Sequence, residues 1–215
     1  MSIVVTILNG PPSSGKDTLA DMLIEEAKAG GVSNTHHLRF KDVLYQETAE
    51  HFDVPVGYLI EVASDTIQKE KPLSALQGKT PREALIHVSE NIIKPLHGDD
   101  YFGKKTKQKM LSLVSGDEFE LNYFVISDSG FYEELYALCG PHLNNFSFVK
   151  IHREGCSFKG DSRKYLSSGV VEAIVNYTEV ESGTEYCIHN DGSLQDLRGV
   201  ALDILQEEVY TWKYC

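Results

Sequence analysis

Residues 10–18 read Gly10-Pro11-Pro12-Ser13-Ser14-Gly15-Lys16-Asp17-Thr18. Residue types at this spacing are those of a phosphate-binding loop. Gly10 and Gly15 let backbone N–H groups around Ser13 and Ser14 turn inward on an anion, and Lys16 supplies a point charge that reaches β- and γ-phosphates. One position departs from the common pattern. The residue after the lysine is usually Ser or Thr, whose hydroxyl binds Mg²⁺; here it is Asp17, with Thr18 one place later. Neighbouring helix positions point roughly 100° apart, so Thr18 is no simple substitute. Asp17 is expected to hold the metal, directly or through water. The bland alternative is a glycine turn that only caps a helix.

The flanking elements favour the phosphate loop. An apolar run, Ile3–Leu8, reads as a strand entering it. Leu19, Met22, Leu23 and Ala27 recur at helical spacing over 16–29, and Gly30-Gly31 stops the pattern. A helix starting at the loop presents unpaired N–H groups and the positive end of its dipole to an anion.

Further candidates lie downstream. Gly78-Lys79-Thr80-Pro81-Arg82-Glu83 opens a helix with a Thr-x-x-Glu capping box and a first-turn proline. Lys79 and Arg82 sit at its positive end and suit a second phosphate, Arg82 better because its fork can bind bidentately; the alternative is a well-capped helix. Phe124-Val125-Ile126-Ser127-Asp128 is an apolar strand ending in an acid. Asp128 either orients Mg²⁺ or its waters, or caps the helix starting near Phe131. Arg153 and Arg163, in a short glycine-bearing stretch, suit a lid over a transferring phosphate, or else are surface cations. Asn190-Asp191-Gly192-Ser193 is a turn and cap whose Asn190 and Gly192 backbone would lie beside a purine. Lys104, Lys105, Lys107 and Lys109 either face a phosphate or form a solvated helix face.

Composition bounds the class. The 215 residues suffice for one α/β domain with a good core. No apolar run approaches the roughly 20 residues of a membrane span, and no basic-then-apolar leader pattern opens the chain, so a cytoplasmic protein is expected. Cys139, Cys156, Cys187 and Cys215 are scattered and read as reduced, mostly buried thiols. A net charge of −12 argues against stable nucleic-acid binding or an anionic membrane.

Candidate strands at Ile3–Leu8, His36–Phe40, Tyr123–Ser127, Ser147–Ile151 and Glu185–His189 alternate with helical patterns at 16–29, 41–52, 81–94, 130–139 and 194–208. The fold class expected is α/β, a P-loop-type five-stranded parallel sheet with helices on both faces. About 80 residues part the second and third strands, far more than one crossover. The division expected is a core of 1–40, 120–152 and 185–215, a helical insert of about 41–119 and a short lid of about 153–184. Ligands bind at the carboxyl ends of such strands, so both inserts should overhang the loop.

Taken together, Gly15-Lys16-Asp17-Thr18, Thr80-Pro81-Arg82-Glu83-Ala84-Leu85, Asp100-Tyr101-Phe102-Gly103, Ser127-Asp128-Ser129-Gly130-Phe131, Gly160-Asp161-Ser162-Arg163 and Asn190-Asp191-Gly192-Ser193-Leu194 resemble the deoxynucleoside monophosphate kinases of tailed bacteriophages. The resemblance covers nearly the whole chain. It implies ATP and Mg²⁺ as cofactors, a deoxynucleoside monophosphate (dNMP) as acceptor, action in the cytoplasm of an infected cell, and a homodimer as one arrangement. It maps the monophosphate site to the long insert, with Arg39-Phe40-Lys41 at its entrance, and the lid arginines to Arg153 and Arg163.

The chemistry expected is in-line transfer of the ATP γ-phosphoryl group. The acceptor phosphate is largely dianionic near pH 7, since its second pKa is about 6, so no general base is needed. Lys16 and the loop hold the donor, Arg82, Lys41, Arg39 and Lys79 the acceptor, and Arg153 and Arg163 the charge in flight. The alternatives are another P-loop small-molecule kinase or a nucleotide-binding module without transfer. Phe52, Tyr58, Tyr101 and Phe102 are candidate base-stacking residues, or core.

Overall fold

Alternating apolar and amphipathic stretches become alternating strands and helices. The fold is a computed structural model that describes residues 2–65, 67–117 and 120–213; Cys215 lies outside them. Strands β1 (Ser2–Asn9), β2 (Asn34–Leu38), β3 (Leu121–Ser129), β4 (Asn145–His152) and β5 (Ser182–His189) form one sheet in the order β2-β3-β1-β4-β5, every pairing parallel. Between and after them run α1 (Lys16–Ala29), α2 (Phe40–Phe52), α3 (Val56–Ser64), α4 (Pro81–Ile86), α5 (Lys94–His97), α6 (Tyr101–Ser112), α7 (Tyr132–Leu138), α8 (Val170–Thr178), α9 (Leu194–Glu208) and α10 (Tyr210–Lys213).

The sheet has a core on each face. Leu19, Leu23 and Ala27 of α1 and Leu197, Ala201 and Leu205 of α9 pack on Val4, Leu8 and Val125. On the other face, Val5, Ile7, Phe124 and Phe148 carry helices from the β2–β3 connection together with α7 and α8, through Phe40, Phe102, Met110, Leu135 and Ile174. Interior strand β3 is buried at every position, as a strand covered on both faces must be. This is the α/β architecture expected, with helices on both faces.

Three details differ from the sequence reading. The second strand runs Asn34–Leu38 and stops before Phe40. Phe40 instead opens α2, because the Asp128 carboxylate takes its N–H at 2.8 Å and that of Lys41 at 2.9 Å. The helix expected over 81–94 runs on to His97, with a π-helical stretch, His87–Ile93, between α4 and α5. Pro95 has no N–H for the carbonyl one turn earlier, which interrupts the ordinary ladder. Of the cysteines, only Cys139 is buried among those described; Cys156 is half-buried in the loop after β4, and Cys187 is exposed on edge strand β5.

Candidate functional site

The loop after β1 is held open by its neighbours. Gly15 stands at φ 96°, in the left-handed region, and caps α1. A Cβ there would also lie 2.2 Å from Asn190 Nδ2, which donates to the Ser14 carbonyl at 2.8 Å. Asn190 thus braces the loop through its side chain, beyond the backbone role expected of it, and Gly192 belongs to the turn whose Ser193–Asp196 capping box starts α9. Gly10 is required for close approach, since a Cβ would meet the Ile151 carbonyl at 2.8 Å. Ser13 has φ 64° and is exposed, as are Asp17 and Thr18 on the first turn of α1.

Lys16 is 6% exposed and its Nζ donates to the Pro11 carbonyl at 2.6 Å, across the loop. Burial, then the nearby Arg163 guanidinium, lowers its ammonium pKa to about 8. Ser14 Oγ is buried with no hydrogen-bonding partner among the described residues. An orphaned hydroxyl, a buried ammonium and a helix N-terminus together fit a polyphosphate.

The two acids expected at the metal have different surroundings. Asp17 Oδ1 accepts from Ser127 Oγ at 2.8 Å, and Ser127 in turn bonds His37 Nε2 at 2.8 Å. His37 Nδ1 lies 3.4 Å from Asp21. This arrangement aims Asp17 and leaves its other oxygen without a described partner, which fits a Mg²⁺ ligand. Asp128 gives both oxygens to the N-terminus of α2. It caps that helix instead of the one after it, since α7 begins from Phe131 with no side-chain cap. Burial raises its carboxyl above the usual range, while the two backbone bonds oppose that rise. Among the described residues no three His, Cys, Asp or Glu side chains cluster as a metal site.

The expected lid arginines lie at the loop. Arg153 Nη1 approaches the Ser13 carbonyl at 3.4 Å. Arg163 is clamped by Asp161, with Nε to Oδ1 at 3.0 Å and Nη2 to Oδ2 at 2.6 Å. It lies against Gly130 so closely that a Cβ there would be 2.4 Å from the Arg163 Cβ. Buried Asn9, at the end of β1, donates to the Ser129 and Lys164 carbonyls and accepts from Leu166 N–H. It ties this segment to the sheet. Arg82 pairs with Glu70 at 3.0 Å and points its Nη1 at the Gly160 carbonyl, 3.4 Å away. It therefore reaches the segment that carries Arg163.

Beside Asp128 opens a cavity of about 270 Å³. Phe40, Leu44, Leu85, Phe102 and Phe131 line it with apolar surface; Lys41, Lys94, Asp128, Glu134 and Arg163 add charge. Lys94 pairs with Glu90 at 2.6 Å and sits 4.7 Å from the Phe131 ring centroid. Lys41, expected at the acceptor site, and Arg163, expected in the lid, both line this one cavity. Arg39 pairs with Asp42 at 3.0 Å and Lys79 lies in the turn before α4; neither they nor Arg82, the first candidate for the acceptor phosphate, are among the residues lining the cavity.

Of the aromatic candidates only Phe102 lines the cavity. Phe52 is core, Tyr58 packs against it, and Tyr101 hydrogen-bonds Glu47. The lysine run is spent locally. Lys104 pairs with Asp100, Lys105 lies over the Tyr101 ring, and Lys107 reaches the Cys139 carbonyl. Asn9, His37, Phe131 and Glu134 escaped the sequence reading. Asn9 carried a signal, as a polar residue closing an apolar strand just before the loop; the others depend on long-range contacts.

No family model and no curated protein matches the chain. A solved structure of a sugar kinase from Janibacter sp. HTCC2649, unliganded, aligns over 96% of this chain and 95% of that one, at 14% identity and a TM-score of 0.39. The functional reading rests on the site itself.

Proposed function

We propose that the protein transfers the γ-phosphoryl group of ATP to a dNMP, giving ADP and the diphosphate. The observation that carries this is the shared wall between the two halves of the site. Ser127 touches Asp17 of the phosphate loop, while its neighbour Asp128 and Arg163 line the aromatic cavity. A cavity of about 270 Å³ with aromatic walls and both cations and acids in its lining suits a nucleoside monophosphate, with a ring to stack and Lys41 and Arg163 to meet its phosphate.

In this reading Lys16, Ser14 and the N–H groups of residues 10–18 hold the donor phosphates. Asp17 would hold Mg²⁺, which supplies charge neutralisation between the phosphates. Lys41 and Arg163 take the acceptor phosphate at the cavity mouth, helped by Arg82 from across the Gly160 contact; Arg39 and Lys79 lie further out as supporting charge. Arg153 and Arg163 counter the charge that builds on the transferring group. Residues 153–165 are the part that acts as a lid, because the following α8 is packed into the core through Val170, Val171 and Ile174. Closing that lid excludes water that would otherwise hydrolyse ATP.

A coupled ADP-release assay over the four common dNMPs, their ribose forms and modified pyrimidine nucleotides tests this. Acceptor-dependent turnover with at least one dNMP is expected. Turnover only with some other phosphorylated metabolite would move the protein to another class of P-loop kinase. ATP binding without acceptor-dependent turnover would make it a nucleotide-binding module.

A further inference from the structure

Glu134, on α7, is 5% exposed and lines the cavity. No hydrogen bond or ion pair engages its carboxyl among the described residues. Its carboxyl oxygens open on the cavity instead of being sealed in protein, so a carboxyl with no protein partner, facing an aromatic-walled cavity, points to a ligand that supplies one. The helix carrying it is fixed. At Gly103, α6 approaches α7 so closely that a Cβ would lie 2.3 Å from the Glu134 carbonyl oxygen. A phosphate is a poor neighbour for an acid, and Lys41 and Arg163 already offer it a place. The uncharged hydrogen-bonding edge of a ring held between Phe102 and Phe131 is a good one.

We infer that Glu134 is the specificity-determining residue that reads the hydrogen-bonding edge of the acceptor's nucleobase, an inference that rests on the dNMP kinase reading above. Its proton then matters. The groups facing it are Asp128 on β3, Lys94 and Glu90 from the helix after α4, Arg163 and Lys41 across the cavity, and Glu133 on its own helix. Burial first, then Asp128, raises the carboxyl to about 8, while Lys94 and Arg163 pull the other way. Protonated, it presents one donor beside one acceptor and pairs with cytosine, thymine or adenine edges. Ionised, it presents two acceptors and matches the N1–H and N2–H₂ donors of guanine.

The test measures kcat/KM for dGMP and dTMP at saturating ATP, between about pH 6.5 and 8.5, with wild type and Glu134→Gln. The acceptor's own phosphate ionisation is common to both substrates and cancels in their ratio. In the wild type the dGMP/dTMP ratio should rise with pH. In Glu134→Gln, which keeps the volume and the one donor–acceptor pair of the protonated acid, the ratio should lose its pH dependence, stay near the wild-type value at pH 6.5 and lie about tenfold below it at the alkaline end, the scale of a lost bidentate base contact. Circular dichroism melts check that the variant folds. An unchanged pH-dependent ratio in the folded variant would overturn the assignment. Absence of turnover with every dNMP in the wild type would instead remove the kinase reading, and this inference with it.

Discussion

At Lys16 the proposed phosphate role and the stability of the fold pull in opposite directions. Its ammonium is buried and its pKa is lowered to about 8, so the folded protein binds this proton less tightly than the unfolded chain does. The penalty is fully present below pH 8 and fades as pH rises towards 10.5. Lys16→Met should therefore lower turnover by about 100-fold or more while leaving the melting temperature at pH 7 unchanged or higher. Steady-state rates beside thermal melts check it, and a large loss of stability would show that the Pro11 contact outweighs the buried charge. Glu134 behaves with the opposite sign. A carboxyl raised from 4.5 to about 8 keeps its proton in the folded state longer than in the unfolded one. Stability should fall as pH rises from about 4.5 to 8, and Glu134→Gln should gain on the wild type over that window. Paired urea titrations at pH 5 and 8 read the difference; a gap independent of pH would mean that the group is ionised throughout.

At the scale of elements, local signals carried the phosphate loop and contact signals did not carry the cavity. Strand, glycine turn and amphipathic helix lie within 30 residues, so periodicity alone places Gly10, Gly15 and Lys16. Arg163 was visible as a cation in a glycine-bearing stretch, yet its clamp on Asp161 and its seat on Gly130 needed the fold. Asp128 was legible as an acid ending a strand, while its true partner, the start of α2, lies 87–88 positions away. No local rule finds such a pair. The consequence is testable. Asp128→Ala would leave two backbone N–H groups of α2 without their carboxylate, costing about 1–3 kcal/mol in urea unfolding. Because the same N-terminus carries Lys41 into the cavity, the KM for dNMP should rise more than that for ATP. Equal effects on both substrates would separate α2 from the acceptor site. Gly130→Ala probes the same wall from the other side. Its Cβ would meet three Arg163 side-chain carbons within about 3.1 Å, so Arg163 must shift and turnover should fall well below that of the wild type at little change in KM for ATP.

Across the whole molecule, the chain carries a net charge of −12 and still places Lys16 and Arg153 at the phosphate loop and Lys41 and Arg163 at the cavity, with Arg82 reaching the Gly160 segment. No helix among the described residues is long and apolar enough to cross a membrane, and this local cationic face is suited to two polyanionic small molecules. The proposed reaction requires the phosphates of ATP and of the dNMP to be neutralised from one side each, a task the proposal assigns to the phosphate loop and to the cavity. A bisubstrate compound, adenosine joined to a deoxynucleoside through a polyphosphate chain, would occupy both halves at once. Binding of its second end is then governed by an effective concentration that is millimolar for a short linker. It should raise the melting temperature more than ATP, the dNMP or the two together at the same concentration. Arg82→Ala should erase much of that surplus without touching the shift produced by ATP alone, because Arg82 reaches across to the Gly160 segment and not to the phosphate loop. A bisubstrate shift no larger than that of ATP would mean that the cavity does not receive the acceptor, and the phosphoryl-transfer reading would then fail at the scale of the whole site.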